Sequence, residues 1–511
     1  MRTVKQIKNF TAAIFRYLLT FFFSFYTRQL FIDALGIEYL GVAGLMGNVL
    51  GMLAIAELGI GSSIVFSLYK PLAEKDQAKI HLLIDLYRRL YRYIALFVLV
   101  VGLGLMPFLT AISPDLENIP HYNIIYLMFL ANSVIPYFFA YNSTLYTATQ
   151  QDYKLQNIRT LFYILTMGIT IAVLTWFPDY ILLTACTMLL GILSQLLIYY
   201  MAHRKWPWLR NKAEGALSSD DIFTIKKNVK AMVIHKIGSY CIYGTSSLII
   251  ANCINLVAVG LYANYQSIVT LTTQILQQFY SSANAGMGEL VASSSKDRVY
   301  RVFREMNFLS CWMYGQLALG IYFVADAFIT IWLGAEFVIS PWAVLFIALN
   351  IYVTGLRMPC ATFKSAAGMF SNDQYIPIVQ SAVNLILGFL LATIWGITGV
   401  TLAILLSGFF TISWYGAYVI YKDFFHISFI HYILDYLIYA IFIFVASLLI
   451  SLVKDLYTPE NPILCFLYLC ILVIFTYHVL LVIVHRFLPG SADAKVRCKT
   501  IIAKLQKKIH H

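Results

Sequence analysis

Glu57 and Arg357 each sit deep inside a long apolar run of this sequence. A charge at the centre of a bilayer costs about 3 kcal/mol or more on insertion scales, so each must face a partner charge or a wet cavity. Glu57 lies near the middle of the run 40–69 and Arg357 about ten residues from one end of the run 341–366, too deep for either to snorkel to water. A structural ion pair is the plain alternative for both. Arg16 and Arg28 stand one to two turns from opposite ends of the run 10–32, and Lys364 one turn from the end of 341–366, where snorkelling is the alternative. Arg357 and Lys364 are seven residues apart, which puts them on one helix face about 10 Å apart, with Pro359 between them to loosen the backbone. His235 and Lys236 add positive potential where the run 231–253 begins, so cations outnumber acids inside the apolar runs. A cationic, dehydrated cavity suits a substrate with concentrated negative charge, and phosphate is the group that Arg matches best through bidentate hydrogen bonds. We therefore expect an anionic, phosphate-bearing substrate.

The elements that must hold these charges are membrane spans. Of 511 residues, 60% are hydrophobic and 12% charged, and the mean hydropathy of +0.76 exceeds that of soluble domains, which excludes a water-soluble enzyme. At roughly 20 to 25 residues per span, the runs cut near 10–32, 40–69, 93–112, 122–148, 160–177, 180–202, 231–253, 257–288, 305–325, 341–366, 376–395, 397–421, 432–453 and 462–486. The fold class is an all-α polytopic membrane protein of about fourteen transmembrane helices. Net charge is +12, and its distribution says more than its sum. Lys and Arg collect in the N-terminus, the 70–92 loop, the 203–230 linker, the 296–304 loop and the tail after Arg486. The alternate connections carry Asp33, Glu38, Asp115, Glu117, Asp179, Asp326, Glu336, Asp455 and Glu460, with Lys454 as their only basic residue. Both termini are predicted cytoplasmic. Met1–Lys8 leads into a run with no small-residue cleavage site, so it reads as a retained first span.

A shift of about 219 residues superposes the two halves, matching Lys8-Asn9 to Lys227-Asn228, Arg16 to His235, and Leu40-Gly41 to Val259-Gly260. This suggests a duplicated six-helix unit: an N-lobe at 1–202, a cytoplasmic linker at 203–230, a C-lobe at 231–421, two appended helices at 422–486 and a basic tail at 487–511. Within the linker, Ser218-Ser219-Asp220-Asp221 followed by Ile222, Phe223, Ile225 and Val229 reads as a capped amphipathic helix on the bilayer surface or a solvated linker helix. An even number of spans per unit gives both copies the same orientation. Transporters with such parallel repeats hold substrate between the halves and rock them.

Other chemistry finds little support. The eight cysteines contain no CxxC pair and read as small core residues. No GxxxxGK[ST], HExxH or GxSxG occurs and the ten histidines are scattered, so neither ATP hydrolysis nor metal or acyl-transfer chemistry is indicated. Gly44, Gly47 and Gly51 share one face of the second run and permit close helix approach. The aromatic fraction of 16% also fits sugar-stacking walls, but interfacial belts and lipid-facing Phe account for most of it.

Several segments carry a family likeness: Leu35-Gly36-Ile37-Glu38-Tyr39-Leu40-Gly41, Ala56-Glu57-Leu58-Gly59-Ile60-Gly61-Ser62 and Tyr69-Lys70-Pro71-Leu72-Ala73, then Ile331-Trp332-Leu333-Gly334, Gly355-Leu356-Arg357-Met358-Pro359, Ala367-Gly368-Met369-Phe370 and Gly396-Ile397-Thr398-Gly399-Val400. Over residues 5–425 the chain resembles the bacterial polysaccharide flippases, the Wzx-like branch of the multidrug/oligosaccharidyl-lipid/polysaccharide exporter superfamily. The resemblance implies a two-lobed, fourteen-helix transporter of the bacterial cytoplasmic membrane. It would move undecaprenyl-diphosphate-linked oligosaccharide between leaflets for capsule, exopolysaccharide or O-antigen assembly. Alternating access would be driven by a proton or sodium gradient, with no cofactor. Carried over from the family, Arg16, Arg28 and Arg357 are the cavity cations, with Lys364 and Lys236 behind them. Glu57 is the candidate for coupling or for a charge pair. The partners implied are the lipid-linked oligosaccharide, membrane lipids and the polysaccharide polymerase machinery, and no nucleic acid. Two alternatives remain: a peptidoglycan-precursor or multidrug exporter of the same superfamily, and a membrane-embedded polysaccharide polymerase or ligase. The first differs only in its cavity, where a drug exporter favours acids. The second calls for a larger outer loop than the sequence provides.

Overall fold

The computed structural model describes residues 23–53, 61, 64, 67–68, 71–72, 74–149, 151–211, 213, 215–219, 222–223, 244–366 and 375–495. Arg16, Glu57, Lys236 and most of the expected linker helix lie outside the described residues. Those described form helices and no strand: α1 (Phe23–Leu35), α2 (Ile37–Leu53), α3 (Gln77–Leu105), α4 (Tyr122–Val134), α5 (Ala140–Ala148), α6 (Asp152–Trp176), α7 (Tyr180–Lys205), α8 (Ser246–Cys253), α9 (Leu256–Ser293), α10 (Lys296–Trp332), α11 (Pro341–Ala366), α12 (Ile376–Trp395), α13 (Ile397–Phe410), α14 (Ile412–Val419), α15 (Ile430–Leu456) and α16 (Pro462–Val484). Among the described residues nine helices are long and apolar enough to cross a membrane, or eleven if each of two bent pairs counts as one span. The protein is an all-α, multi-pass membrane protein. Each expected span carries helix at most of its described residues, and those nearest residues 10–32, 40–69 and 231–253 are described only in part.

Helix ends follow local chemistry. Asp76 caps α3 by accepting from the Lys79 amide at 2.9 Å, Asp179 caps α7 through the Leu182 amide at 2.8 Å, and Asn461 caps α16 through the amides of Ile463 and Leu464. The expected fourth span bends by 49° at Phe139, following Pro136, which removes a helical N–H. Gly396 joins α12 to α13 at φ +56° with ψ −133°, a backbone state that a Cβ disfavours. Two expected loops are helical instead. Residues 77–92 are the start of α3 and 296–304 the start of α10, because a capped, amphipathic basic segment continues a helix beyond the apolar slab. Asp326, expected in a connection, lies in the last two turns of α10.

The chain divides into two compact units, Met1–Ala263 and Asn264–His511, and the division falls inside α9. In the first unit α6 packs along α7, and α8 lies on α2, where Asn48 donates to the Ser247 hydroxyl at 2.9 Å. The start of α9 crosses α2 at small residues. A Cβ on Gly41 would strike the Leu256 carbonyl, and one on Gly260 would strike Ile37. Ile37 and Leu256 are 219 residues apart in sequence, as are Gly41 and Gly260, so the crossing pairs positions that the 219-residue shift relates. The crossing uses Gly41, with Gly44 in ordinary contact with Val259, whereas Gly47 has nothing within 4 Å of a built Cβ. The glycine face expected at 44, 47 and 51 is therefore displaced toward the start of the helix.

In the second unit α10 packs on α11 and α16, and α11 also packs on α13. The Tyr477 hydroxyl donates to the Cys311 carbonyl at 2.9 Å, and its ring meets Phe442. Replacing Tyr477 with Phe is expected to lower stability by about 1 kcal/mol, measured as the thermal midpoint of the solubilised protein. The start of the expected tail is packed. Leu488 and Ser491 are buried, the Tyr439 hydroxyl donates to the Pro489 carbonyl at 2.7 Å, and Gly490 lies against the Arg304 carbonyl.

Candidate functional site

Arg357 and Lys364 both lie on α11, and both are half-buried. At 1.5 Å rise per residue, Arg357 is about 24 Å from the Pro341 end of the helix and about 14 Å from the Ala366 end. The apolar window of α11 is 61% buried, against 11% for α7, so α11 is an interior helix of its unit and α7 a more peripheral one. A charge on α11 therefore faces protein or water more readily than acyl chains. Among the described residues no carboxylate stands within ion-pair distance of Arg357. Cys360 and Tyr432 lie close enough to feel its charge. Gly355, one half-turn before Arg357, faces the Tyr314 ring so closely that a Cβ would collide with it. Pro359 runs within the helix and cannot donate to the Gly355 carbonyl.

Arg28, in α1 of the first unit, is half-buried and engaged with a neighbouring residue. It is about 10 Å from the Leu35 end of α1, and the neighbouring Thr27 hydroxyl donates to the Phe23 carbonyl at 2.7 Å. Further along the first unit, Asn132, Thr170, Tyr180, Thr184 and Thr187 line a cavity of about 180 Å³ between α4, α6 and α7. The structure thus places Arg357 and Lys364 together on one helix and Arg28 in the other unit, with Arg16, Lys236 and Glu57 outside the described residues.

A search for charges alone passes over several groups. Gln380, Ser381 and Asn384 are buried on one stretch of α12. The Ser407 hydroxyl of α13 lies 3.4 Å from the Asn384 amide oxygen, and Gln380 Oε1 is buried without a hydrogen-bond partner. Asn307 of α10 is buried with neither end of its amide paired. The i, i+4 spacing of Gln380 and Asn384 on an apolar helix is the signal available in the sequence. Two acids near span ends are also engaged: Asp326 accepts from the Tyr265 hydroxyl at 2.6 Å, and Asp435 pairs with Arg304 at 3.6 Å. Arg357 differs from these acids in standing mid-span and outside any ion pair among the described residues.

No family model and no curated protein matches the sequence. Solved structures match in fold. The lipid II flippase MurJ, in an inward closed conformation, aligns over 95% of this chain and 99% of its own with a TM-score of 0.65 at 14% identity. The chain has the fold of the MurJ and MATE transporters. The Vibrio cholerae MATE transporter VcmN aligns over 83% of this chain and 98% of its own, with a TM-score of 0.57 at 13% identity. An inward-facing multidrug resistance MATE transporter of the MOP superfamily aligns over 76% and 92%, with a TM-score of 0.55 at 11% identity.

Proposed function

We propose that the protein is a flippase that carries undecaprenyl-diphosphate-linked oligosaccharide across the bacterial cytoplasmic membrane by alternating access, with both termini cytoplasmic. The observation that carries this reading is Arg357, a half-buried guanidinium near the middle of an interior helix with no ion-pair partner among the described residues. A diphosphate offers the oxygen pairs that a guanidinium binds bidentately, and its binding replaces the hydration that the arginine gives up. Arg357 holds the diphosphate, with Lys364 adding potential from the same helix, while the prenyl chain stays in lipid; Arg16, Arg28 and Lys236 are the further cations that the family resemblance implies. The same positive charge disfavours a cationic drug.

The fold shared with a lipid II flippase supports a lipid-linked substrate and makes the peptidoglycan precursor the second reading. The test uses purified protein in proteoliposomes with a fluorescent undecaprenyl-diphosphate oligosaccharide, scored by accessibility to an impermeant quencher. Protein-dependent exchange between leaflets is expected, and exchange at the rate of empty liposomes would remove the reading. Competition by unlabelled lipid II stronger than by unlabelled oligosaccharide would assign the precursor instead.

Glu57 supplies the coupling, by taking up a proton or binding sodium. Glu57→Gln is expected to leave a basal rate that no longer responds to an imposed pH or sodium gradient. A gradient response equal to wild type would return Glu57 to a structural role.

A further inference from the structure

Away from Arg357, the basic end of the first unit holds a second concentration of positive charge. The Arg88 guanidinium lies over the Tyr141 ring, 4.6 Å from its centroid, and Nη2 donates to the Leu209 carbonyl at 2.5 Å. Arg92 is near enough to act electrostatically on the same tyrosine hydroxyl. His203, in the last turn of α7 and only 4% exposed, stacks on Tyr199 at 3.9 Å and is 6.3 Å from Tyr141. Its charge environment includes both Arg88 and Arg210. The only carboxylate in ion-pair contact with these arginines, among the described residues, is Asp85, which is 4.0 Å from Arg88 and 3.3 Å from Arg89. Arg92 and Arg210 are exposed and outside any such pair, and Arg88 Nε is buried with no hydrogen-bond partner.

The depth of this cluster is set by the sequence. The continuous apolar stretch of α3 starts at Ile94, just after Arg92-Tyr93, and that of α7 ends at His203-Arg204-Lys205. The cluster therefore lies where acyl chains give way to headgroups, the level at which aromatic and basic side chains gather. Basic pockets between spans at this level suit lipid phosphates.

We propose that Arg88, Arg92, Arg210 and His203, gathered about the Tyr141–His203 pair, form a site for the phosphate of an anionic membrane lipid. Arg92 and Arg210 reach the phosphate oxygens, while Arg88, pinned between Tyr141 and the Leu209 carbonyl, fixes the geometry. Leu209 is fully buried beside Arg210, so a bound headgroup also ties the segment after α7 to α3.

The test uses the full chain in detergent, titrated in separate arms with cardiolipin, phosphatidylcholine, inorganic phosphate and undecaprenyl diphosphate, and reads the thermal midpoint. Cardiolipin is expected to raise the midpoint and phosphatidylcholine and inorganic phosphate to leave it unchanged. The double variant Arg92→Gln, Arg210→Gln changes only exposed side chains, so it should fold, and it should raise the half-saturating cardiolipin concentration about tenfold or more. Arg298→Gln, an exposed arginine of the second unit, should leave that concentration unaltered. An equal effect of Arg298→Gln would mean diffuse surface attraction and would overturn the site. A wild-type response to cardiolipin in the double variant, or a shift by undecaprenyl diphosphate or inorganic phosphate without one by cardiolipin, would overturn the lipid assignment.

Discussion

Replacing Arg357 with Ala is expected to lower flipping of a diphosphate-linked substrate by about 10- to 150-fold, the equivalent of one charge-assisted bidentate contact worth about 1.5 to 3 kcal/mol. The sign of the accompanying stability change separates two roles. If Arg357 neutralised a buried acid, its removal would strand that charge and destabilise the fold by about 3 to 5 kcal/mol. No carboxylate within ion-pair distance occurs among the described residues, and a mid-span cation is itself costly. Arg357→Ala should therefore fold with an unchanged or higher thermal midpoint while losing transport. Arg357→Lys should recover part of the rate, because lysine keeps the charge and loses the planar fork. Transport by Arg357→Ala at the wild-type rate in proteoliposomes would take this residue out of the mechanism.

Gly41→Val should cost about 1 to 3 kcal/mol or more, since the new Cβ meets a backbone carbonyl at Leu256 and the helices must part. Gly260→Val should cost a similar amount against Ile37. The double variant should cost less than the two single effects combined, because once the helices have parted the second side chain meets open space. Gly47→Ala is the control: nothing lies within 4 Å of its built Cβ, and removing a helix-interior glycine should stabilise by about 0.5 to 1 kcal/mol. Thermal midpoints of the solubilised variants measure all four, and strictly additive losses at Gly41 and Gly260 would refute the shared crossing.

The spans were legible because hydrocarbon admits little but apolar residues over the length of a helix, and the basic stretches that bound α3, α7 and α10 could be read from the same pattern. The hydropathy signal ends where the bilayer ends, and helices do not. That is why Arg88 and Arg92 read as loop residues although the Asp76 cap already marks the start of α3. The mid-span position of Arg357 was visible in the apolar pattern around it, whereas the setting of Arg88 was not, since Tyr141, His203 and Leu209 join it only through the fold. Gln380, Asn384 and Asn307 escaped notice because an uncharged amide draws no attention in a search for ions, and its burial depends on which side of the helix is covered. Gly41 and Gly44 could be told from Gly47 only once the partner helix was in place.

The paired contacts of Gly41 with Leu256 and Gly260 with Ile37 are what two identical chains make across a twofold axis, where each presents the same patch to the other. Within one polypeptide the two sides of such a crossing are not held to identical sequences. Ile37 already differs from Leu256, and the same 219-residue shift sets Arg16 against His235. A crossing made within one chain can thus keep its close glycine contacts while the residues on either side of it diverge, a division of labour that a true homodimer cannot reach by single mutations.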